Sequence, residues 1–220
     1  MIEDTLRFLV ENRQWVLTKS LEHLLLVCGA VLLAVLVGVP LGMLISRYPG
    51  AVRWVLSATT VVMTVPTAAL LTLMVPVLGL LGGGLGYAPA LLAVLLYSLL
   101  PIVRNTYTAI GNVSPALRES AIGLGMTPGE RLRLVEIPLA IPVIMAGIRI
   151  AAVYNIGTVA VAAYLGAGGL GVLVSRGLAQ NDLRQLLAGA LLLGGLAVLV
   201  GVALGRLPRH LTPQGLREGG

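Results

Sequence analysis

The sequence predicts an all-α integral membrane protein with about five transmembrane helices. Hydrophobic residues make up 57% of its 220 residues and charged residues only 11%, whereas roughly a quarter of the residues in a soluble domain are charged. The apolar residues form long runs, and an α-helix needs about twenty such residues to cross a bilayer. These runs place five spans at about residues 21–45, 54–81, 87–110, 138–164 and 183–204.

The composition argues against several other classes of function. The net charge of +6 comes mainly from arginines scattered between apolar runs, a distribution that sets membrane topology and is not typical of nucleic-acid binding. Because Lys19 is the only lysine, no P-loop is present, and we do not expect an enzyme that hydrolyses ATP. Cys28 has no partner for an internal disulfide, and neither His23 nor His210 has ligand-spaced neighbours. We therefore expect no metal site and no cofactor.

The first residues are predicted to lie on the extracytoplasmic membrane surface. Residues 1–18 form an amphipathic pattern in which Leu6 and Val10 recur at helical spacing. Trp15 is a side chain typical of the membrane interface. We expect a short surface helix here, followed by a transmembrane region over residues 19–204.

The first two spans carry glycine, proline and a few polar residues. Gly38 and Gly42 have the four-residue spacing that permits close packing between membrane helices. Pro66 and a second proline interrupt the second span and predict kinks, whose freed carbonyls must be satisfied by neighbours or water. Met63 and Thr64, beside Pro66, are candidates for lining a pore, with helix packing as the alternative.

The fourth span contains the other candidates for a translocation path. Tyr154 and Thr158 are spaced i, i+4 on one helix face, and Asn155 lies between them. The glycine-rich run 165–171 predicts a flexible loop, followed by a surface helix at the outer mouth of a pore. Residues 205–220 after the fifth span are polar and basic, and we expect a cytoplasmic tail.

The longest polar interruption in the chain lies between the third and fourth spans. Ser114 followed by a proline is typical of a helix start, and that helix is expected to fail at Gly123 and Gly125. Thr127 marks a second start, with Glu130 at the position that a capping box requires. The pattern therefore predicts two short helices joined by a glycine elbow.

The second of these helices is expected to end at Ile137, because Pro138 disfavours helical geometry in the residue before it. The whole segment, residues 114–138, would then stand between two membrane spans as a docking surface for a soluble partner. An ordinary cytoplasmic loop is the alternative interpretation.

The residues of this segment resemble a known family signature. Glu119-Ser120-Ala121, then Gly125, then Val135-Glu136-Ile137-Pro138 resemble the EAA…G…I-x-L-P motif of permease subunits of ATP-binding-cassette (ABC) importers. Ser120, Val135 and Ile137 depart from that motif by small or apolar replacements. The resemblance implies the type I importer permease fold, with a cytoplasmic coupling-helix segment. The residues to which it assigns contact with an ATPase are Glu119, Ser120, Ala121, Gly123, Gly125, Pro128, Ile137 and Pro138.

The same resemblance implies a set of partners. These are a separate ABC ATPase (nucleotide-binding) subunit, an extracytoplasmic substrate-binding protein and a second permease copy, in a homodimer within the plasma (inner) membrane of a bacterium. Nine basic residues would face the cytoplasm and five the outside if the N-terminus is extracytoplasmic and the C-terminus cytoplasmic. The positive-inside rule favours that orientation.

Two further segments bear on the substrate. Residues 142–149 and 165–171 resemble permeases for glycine betaine, choline and carnitine, which implies a small quaternary-amine osmolyte. A methionine-type amino-acid permease is the close alternative. A secondary transporter or channel without an ATPase is a third possibility, but ion-coupled carriers place acids inside the membrane. Here the acids beyond Val27 lie only in predicted loops.

Overall fold

The computed structural model describes residues 2–80 and 84–208, and every regular element within these ranges is helical. His210 and most of the predicted tail lie outside the described residues. The α-helices are α1 (Ile2–Glu11), α2 (Arg13–Arg47), α3 (Pro49–Thr64), α4 (Thr67–Gly79), α5 (Tyr87–Gly111), α6 (Pro115–Gly123), α7 (Pro128–Arg131), α8 (Ile137–Ala162), α9 (Gly171–Ala179) and α10 (Leu183–Arg206).

Within the described ranges, four helices are individually long and apolar enough to cross a membrane: α2, α5, α10 and the continuous helix Pro128–Leu165 that contains α7 and α8. The pair α3 and α4 passes the same test only when it is taken together. The prediction of an all-α fold with about five spans is therefore confirmed.

The second predicted span is broken and not merely kinked, because α3 and α4 meet at an angle of 104°. Val65 is extended, with φ −65° and ψ 131°, as is usual before a proline, and Pro66 has no N–H to donate. The Val65 carbonyl that the break frees accepts a hydrogen bond of 2.5 Å from the Tyr97 hydroxyl of α5. The break is thus satisfied by a side chain of the neighbouring helix.

Helix α5 occupies the centre of the fold and packs against α2 on one side and α8 on the other. Glycines let the backbones approach closely on both sides. A Cβ on Gly42 of α2 would lie 2.6 Å from the Thr106 Cβ, and a Cβ on Gly147 of α8 would lie 2.6 Å from the Pro101 carbonyl oxygen. The small-residue contact predicted for the first span is therefore present.

The boundary between the N-terminal helix and the first span lies earlier in the chain than predicted. Helix α1 ends at Glu11, and residues 13–18 already belong to α2. Phe8 and Trp15 pack against a buried cluster that contains Leu170 and Leu173, and the Arg176 guanidinium lies 5.5 Å from the Trp15 ring centroid. Cation–π contact and apolar packing therefore hold this end of the chain to α9 and α10.

The glycine-rich run is also more constrained than predicted. It contains three glycines with positive φ, Gly166, Gly168 and Gly169. The Gly169 N–H donates to the Glu22 carboxylate at 2.9 Å, and a Cβ on Gly168 would lie 2.5 Å from the same carboxylate. The expected flexible loop is instead held against α2, because only glycine fits this close approach and these dihedral angles.

Candidate functional site

The polar segment begins with α6, which starts at Pro115 and ends at Gly123 as expected. Beyond it, the Met126 N–H donates to the Ala121 carbonyl at 3.1 Å and the Gly125 N–H to the Ile122 carbonyl at 2.9 Å. Gly125 has φ +79°. This pair of hydrogen bonds around a left-handed residue is a Schellman motif. The elbow therefore depends on the conformation of Gly125, while Gly123 is the last residue of the helix itself.

The second helix start has the predicted capping box. The Thr127 hydroxyl accepts a hydrogen bond from the Glu130 N–H at 3.3 Å, and the Glu130 carboxylate accepts one from the Thr127 N–H at 2.8 Å. Pro128 occupies the first turn, where its missing N–H costs nothing. These reciprocal bonds set the direction in which the chain leaves the elbow.

The prediction that this helix ends at Ile137 is wrong. The chain passes from α7 through a π-helical turn, Leu132–Glu136, directly into α8. The Ile137 N–H donates to the Leu132 carbonyl, five residues earlier. A π turn widens the helix where the ring of Pro138 would otherwise meet a carbonyl one turn back, so the proline is accommodated without a break. The segment is therefore one short helix packed beside the end of a long one.

A buried acid, which the sequence analysis did not single out as functional, joins these two helices. Glu136 lies in the π turn, and its side chain is 7% exposed. Its Oε1 atom is 3.3 Å from Arg118 Nε of α6 and 3.2 Å from Arg131 Nε of α7. Arg118 also donates to the Ile110 carbonyl at the end of α5. The Arg118 pair thus fixes the position of α6 relative to the long helix, while the Arg131 pair lies within that helix and holds the carboxylate in place.

One more contact attaches the segment to the rest of the fold. The Arg47 guanidinium at the end of α2 donates to the Pro128 carbonyl at 2.9 Å. The polar segment is therefore tied to α2, α5 and α8 together. The sequence did carry a signal for Glu136: an acid flanked by Val135 and Ile137 in an apolar stretch is expected to be buried and paired.

The outer side of α6 is free. Glu119 and Ser120 are exposed, and Ala121 is buried against the rest of the segment. Within the described part of the chain, Glu119 makes no ion pair. Leu117 and Leu124 are also exposed, at 46% and 77%. An unpaired acid beside exposed leucines is a surface suited to a protein partner.

The structure does not bring the candidate pore residues onto one surface of the subunit. Tyr154 is 43% exposed, and Thr64 is exposed with its hydroxyl bonded to the Val61 carbonyl. Asn155 and Thr158 are buried, and the Asn155 amide donates to the Ser98 hydroxyl at 2.7 Å. Met63 is partly buried against the main core. The role of these residues in a pore stays a prediction.

Helix α8 nevertheless presents one continuous exposed face, which we call the α8 stripe. Its members recur every three or four residues, the spacing of one side of a helix. They are Val143, Ala146, Ile150, Tyr154, Gly157 and Val161, together with Tyr164 in the 3-10 turn directly after α8. Beside the stripe, α8 and α10 enclose an open groove of about 750 Å³, the α8–α10 groove, whose lining includes Met145, Arg149, Ile150, Val153, Tyr154 and Leu204.

Known proteins resemble the chain over nearly its full length. Residues 38–214 match the family described as binding-protein-dependent transport system inner membrane component. The osmoprotectant import permease protein OsmW of Salmonella typhimurium is 50% identical, over 97% of this chain and 100% of that protein. The glycine betaine/carnitine/choline transport system permease protein OpuCD of Bacillus subtilis is 42% identical, over 95% of this chain and 90% of that protein.

Solved structures share the fold. A chain of the MetNI methionine ABC transporter in an inward-facing conformation superimposes with a TM-score of 0.80, covering 90% of this chain and 97% of that one. The two sequences are 24% identical, so this similarity is evidence for the fold alone.

Proposed function

Because the chain belongs to the family of inner-membrane components of binding-protein-dependent transport systems and is the permease subunit of an ABC importer, we propose that it imports a small quaternary-amine osmolyte. The proposal is supported by relatives named for osmoprotectant, glycine betaine, carnitine and choline transport, at 40 to 50% identity over nearly the whole chain. A separate ATPase subunit supplies the energy, and an extracytoplasmic binding protein delivers the substrate.

The exposed face of α6 is the surface on which the ATPase docks, in a helix-in-groove contact. The observation that carries this assignment is the contrast between two acids of the segment. Glu136 is buried between two arginines, whereas Glu119 is exposed and unpaired among the described residues. Glu136 therefore holds the segment together, and Glu119 is available to a partner.

Movement of the ATPase passes into the membrane through the long helix. ATP draws two ATPase subunits together because it binds the associated state more tightly. Each ATPase displaces the α6 segment docked on it. Since the Arg118–Glu136 pair joins α6 to the helix Pro128–Leu165, the displacement rotates that helix as a unit and changes the side on which the pore opens.

Two permease copies form the pore, in a symmetric homodimer with the N-termini outside and the C-termini in the cytoplasm. The α8 stripe lines the contact between the copies and the translocation path. It is the exposed face of a helix whose opposite side is buried against α5. The exposed leucines of α2, by contrast, face lipid.

The substrate proposal is tested by reconstitution. The permease, its ATPase and its binding protein are placed in proteoliposomes, and uptake of radiolabelled glycine betaine, carnitine, choline and methionine is measured with and without ATP. We expect ATP-dependent uptake of the quaternary amines and none of methionine. Uptake of methionine alone, or equal uptake without ATP, contradicts the proposal.

The docking assignment is tested with Glu119→Lys and Leu124→Asp. Glu119 lies on the exposed face of α6, and Leu124 is the exposed residue directly after that helix. We therefore expect loss of ATPase co-purification and of uptake while the permease still inserts into the membrane. Glu3→Lys reverses the charge of an exposed acid in α1 and serves as the matched control. Normal uptake by both α6 variants removes the docking role.

A further inference from the structure

The α8–α10 groove contains an arginine without a counter-charge. Arg149 of α8 lies against the end of α10, since a Cβ on Gly205 would be 3.0 Å from Arg149 Nη1. Among the described residues, Arg149 makes no ion pair and no hydrogen bond through its side chain. Of the described residues that line the groove, none is acidic. A guanidinium in an apolar groove is a site for an anionic group.

An aromatic ring borders the same groove. Tyr154 lies five residues further along α8, a rise of about 7.5 Å, and is 43% exposed. Its ring centroid is 6.0 Å from that of Tyr97, which holds the ring in place beside the groove. Most of the remaining lining is apolar, including Met145, Val153 and Leu204. The exposed surface of such a ring attracts a quaternary ammonium group.

We infer that the α8–α10 groove holds a zwitterionic quaternary amine during transport, with its carboxylate on Arg149 and its trimethylammonium group on Tyr154. The inference rests on the proposed function and narrows its substrate class. A carboxylated quaternary amine such as glycine betaine carries a carboxylate for Arg149 and a trimethylammonium group for Tyr154. Choline has no carboxylate, leaves Arg149 unpaired and brings a second positive charge into the groove. The permease itself therefore discriminates between these two amines.

An anionic phospholipid is the other ligand that could pair with Arg149. Its phosphate would meet the guanidinium and its acyl chain the apolar lining, but the tyrosine ring would have no partner. The zwitterion accounts for both side chains, and for this reason we prefer it.

Direct binding to the purified permease–ATPase complex, without the binding protein, tests the inference. Saturation-transfer NMR is used to titrate glycine betaine and choline separately. We expect the wild type to bind glycine betaine about tenfold more tightly than choline. That ratio of dissociation constants corresponds to the free energy of about one charge-assisted hydrogen bond. Arg149→Gln should abolish that preference, and Arg149→Lys should retain part of it. The control Arg53→Gln removes an exposed arginine at the start of α3 and should preserve the preference.

The aromatic contact is tested separately. Tyr154→Leu should weaken binding of both amines about three- to tenfold, whereas Tyr154→Phe, which retains the ring, should not. Unchanged preference in Arg149→Gln, or no binding of glycine betaine to the wild-type complex, overturns the inference. So does an anionic phospholipid that co-purifies with the wild type and is lost only in Arg149→Gln, without an effect on amine binding.

Different results would contradict the proposed function and the proposed binding site in the α8–α10 groove. ATP-driven uptake of glycine betaine by the wild-type transporter supports the proposed function, whatever the groove variants do. If uptake is normal and the groove variants bind both amines as the wild type does, only the groove assignment is lost. If the wild type imports no quaternary amine, the proposed function is lost as well.

Discussion

At the scale of single residues, the glycines differ in what they do. Gly147 is required for space, because its backbone lies against the Pro101 carbonyl and the Asn105 side chain. Gly125 is required for conformation, because it has φ +79° and no atom near the position of a Cβ. Gly157 shows neither constraint. The same amino acid thus serves packing at one position and a turn at another.

This difference leads to a prediction with a built-in control. Gly147→Ala places a methyl group 2.6 Å from a backbone oxygen, so α5 and α8 must separate. We expect a loss of about 1–3 kcal/mol, measured as a fall of several degrees in the detergent-solubilised melting temperature. Gly194→Ala in α10, outside the α8 stripe, meets no neighbouring atom and should be neutral or slightly stabilising. Equal effects of the two changes would contradict the close contact.

The candidate site was predictable where its determinants are local. The capping box of Thr127 and Glu130 and the glycine at the elbow follow from residues three or four positions apart, and the structure contains both. The pairing of Glu136 with Arg118 connects two helices and depends on their packing. No local pattern encodes such a pair, and the sequence analysis placed Glu136 in a predicted loop.

At the scale of helices, proline has opposite outcomes at two positions. At Pro66 the chain turns by 104°, and the Val65 carbonyl is satisfied by Tyr97. At Pro138 the helix continues, because a π turn directly before it relieves the clash. Sequence reasoning treated both prolines as interruptions and was right only for the first. The outcome depends on whether a neighbouring helix offers a donor or the helix itself can widen.

The α3–α4 break supplies a prediction at this scale. Tyr97→Phe removes the donor to the Val65 carbonyl and leaves that carbonyl unpaired at the break. We expect a loss of about 1 kcal/mol or more, measured by thermal unfolding in detergent. Tyr107→Phe on the same helix is the control, since the Tyr107 hydroxyl makes no hydrogen bond with the described residues. A Tyr97→Phe variant as stable as its control would show that the bend does not depend on this bond.

At the scale of the whole molecule, the all-helical class and the number of spans follow from composition and run length alone, because membrane insertion depends on those two quantities. Which faces of the helices meet protein and which meet lipid does not follow from them. Exposed leucines are frequent on α2, whereas the α8 stripe combines β-branched, small and aromatic residues. A single subunit leaves both surfaces uncovered.

The homodimer proposal makes these two faces experimentally distinct. With Cys28 replaced by alanine, Gly157→Cys on the α8 stripe should form an intersubunit disulfide in membranes under mild oxidation. Leu36→Cys, on the exposed face of α2, should remain monomeric, because that face is proposed to meet lipid. The readout is the dimer band on a non-reducing gel. Cross-linking through α2 and none through α8 would reverse the assignment of the two faces.

The π turn at Leu132–Glu136 also determines an angle. A π turn contains one residue more than the α-helical turn it replaces, and one residue of α-helix corresponds to about 100° of rotation. The azimuth at which α7 and the attached α6 project from the long helix is therefore determined by a single residue. Deleting Leu134, an exposed residue of this turn, would retain Glu136 and the α6 residues but turn the proposed docking face in another direction.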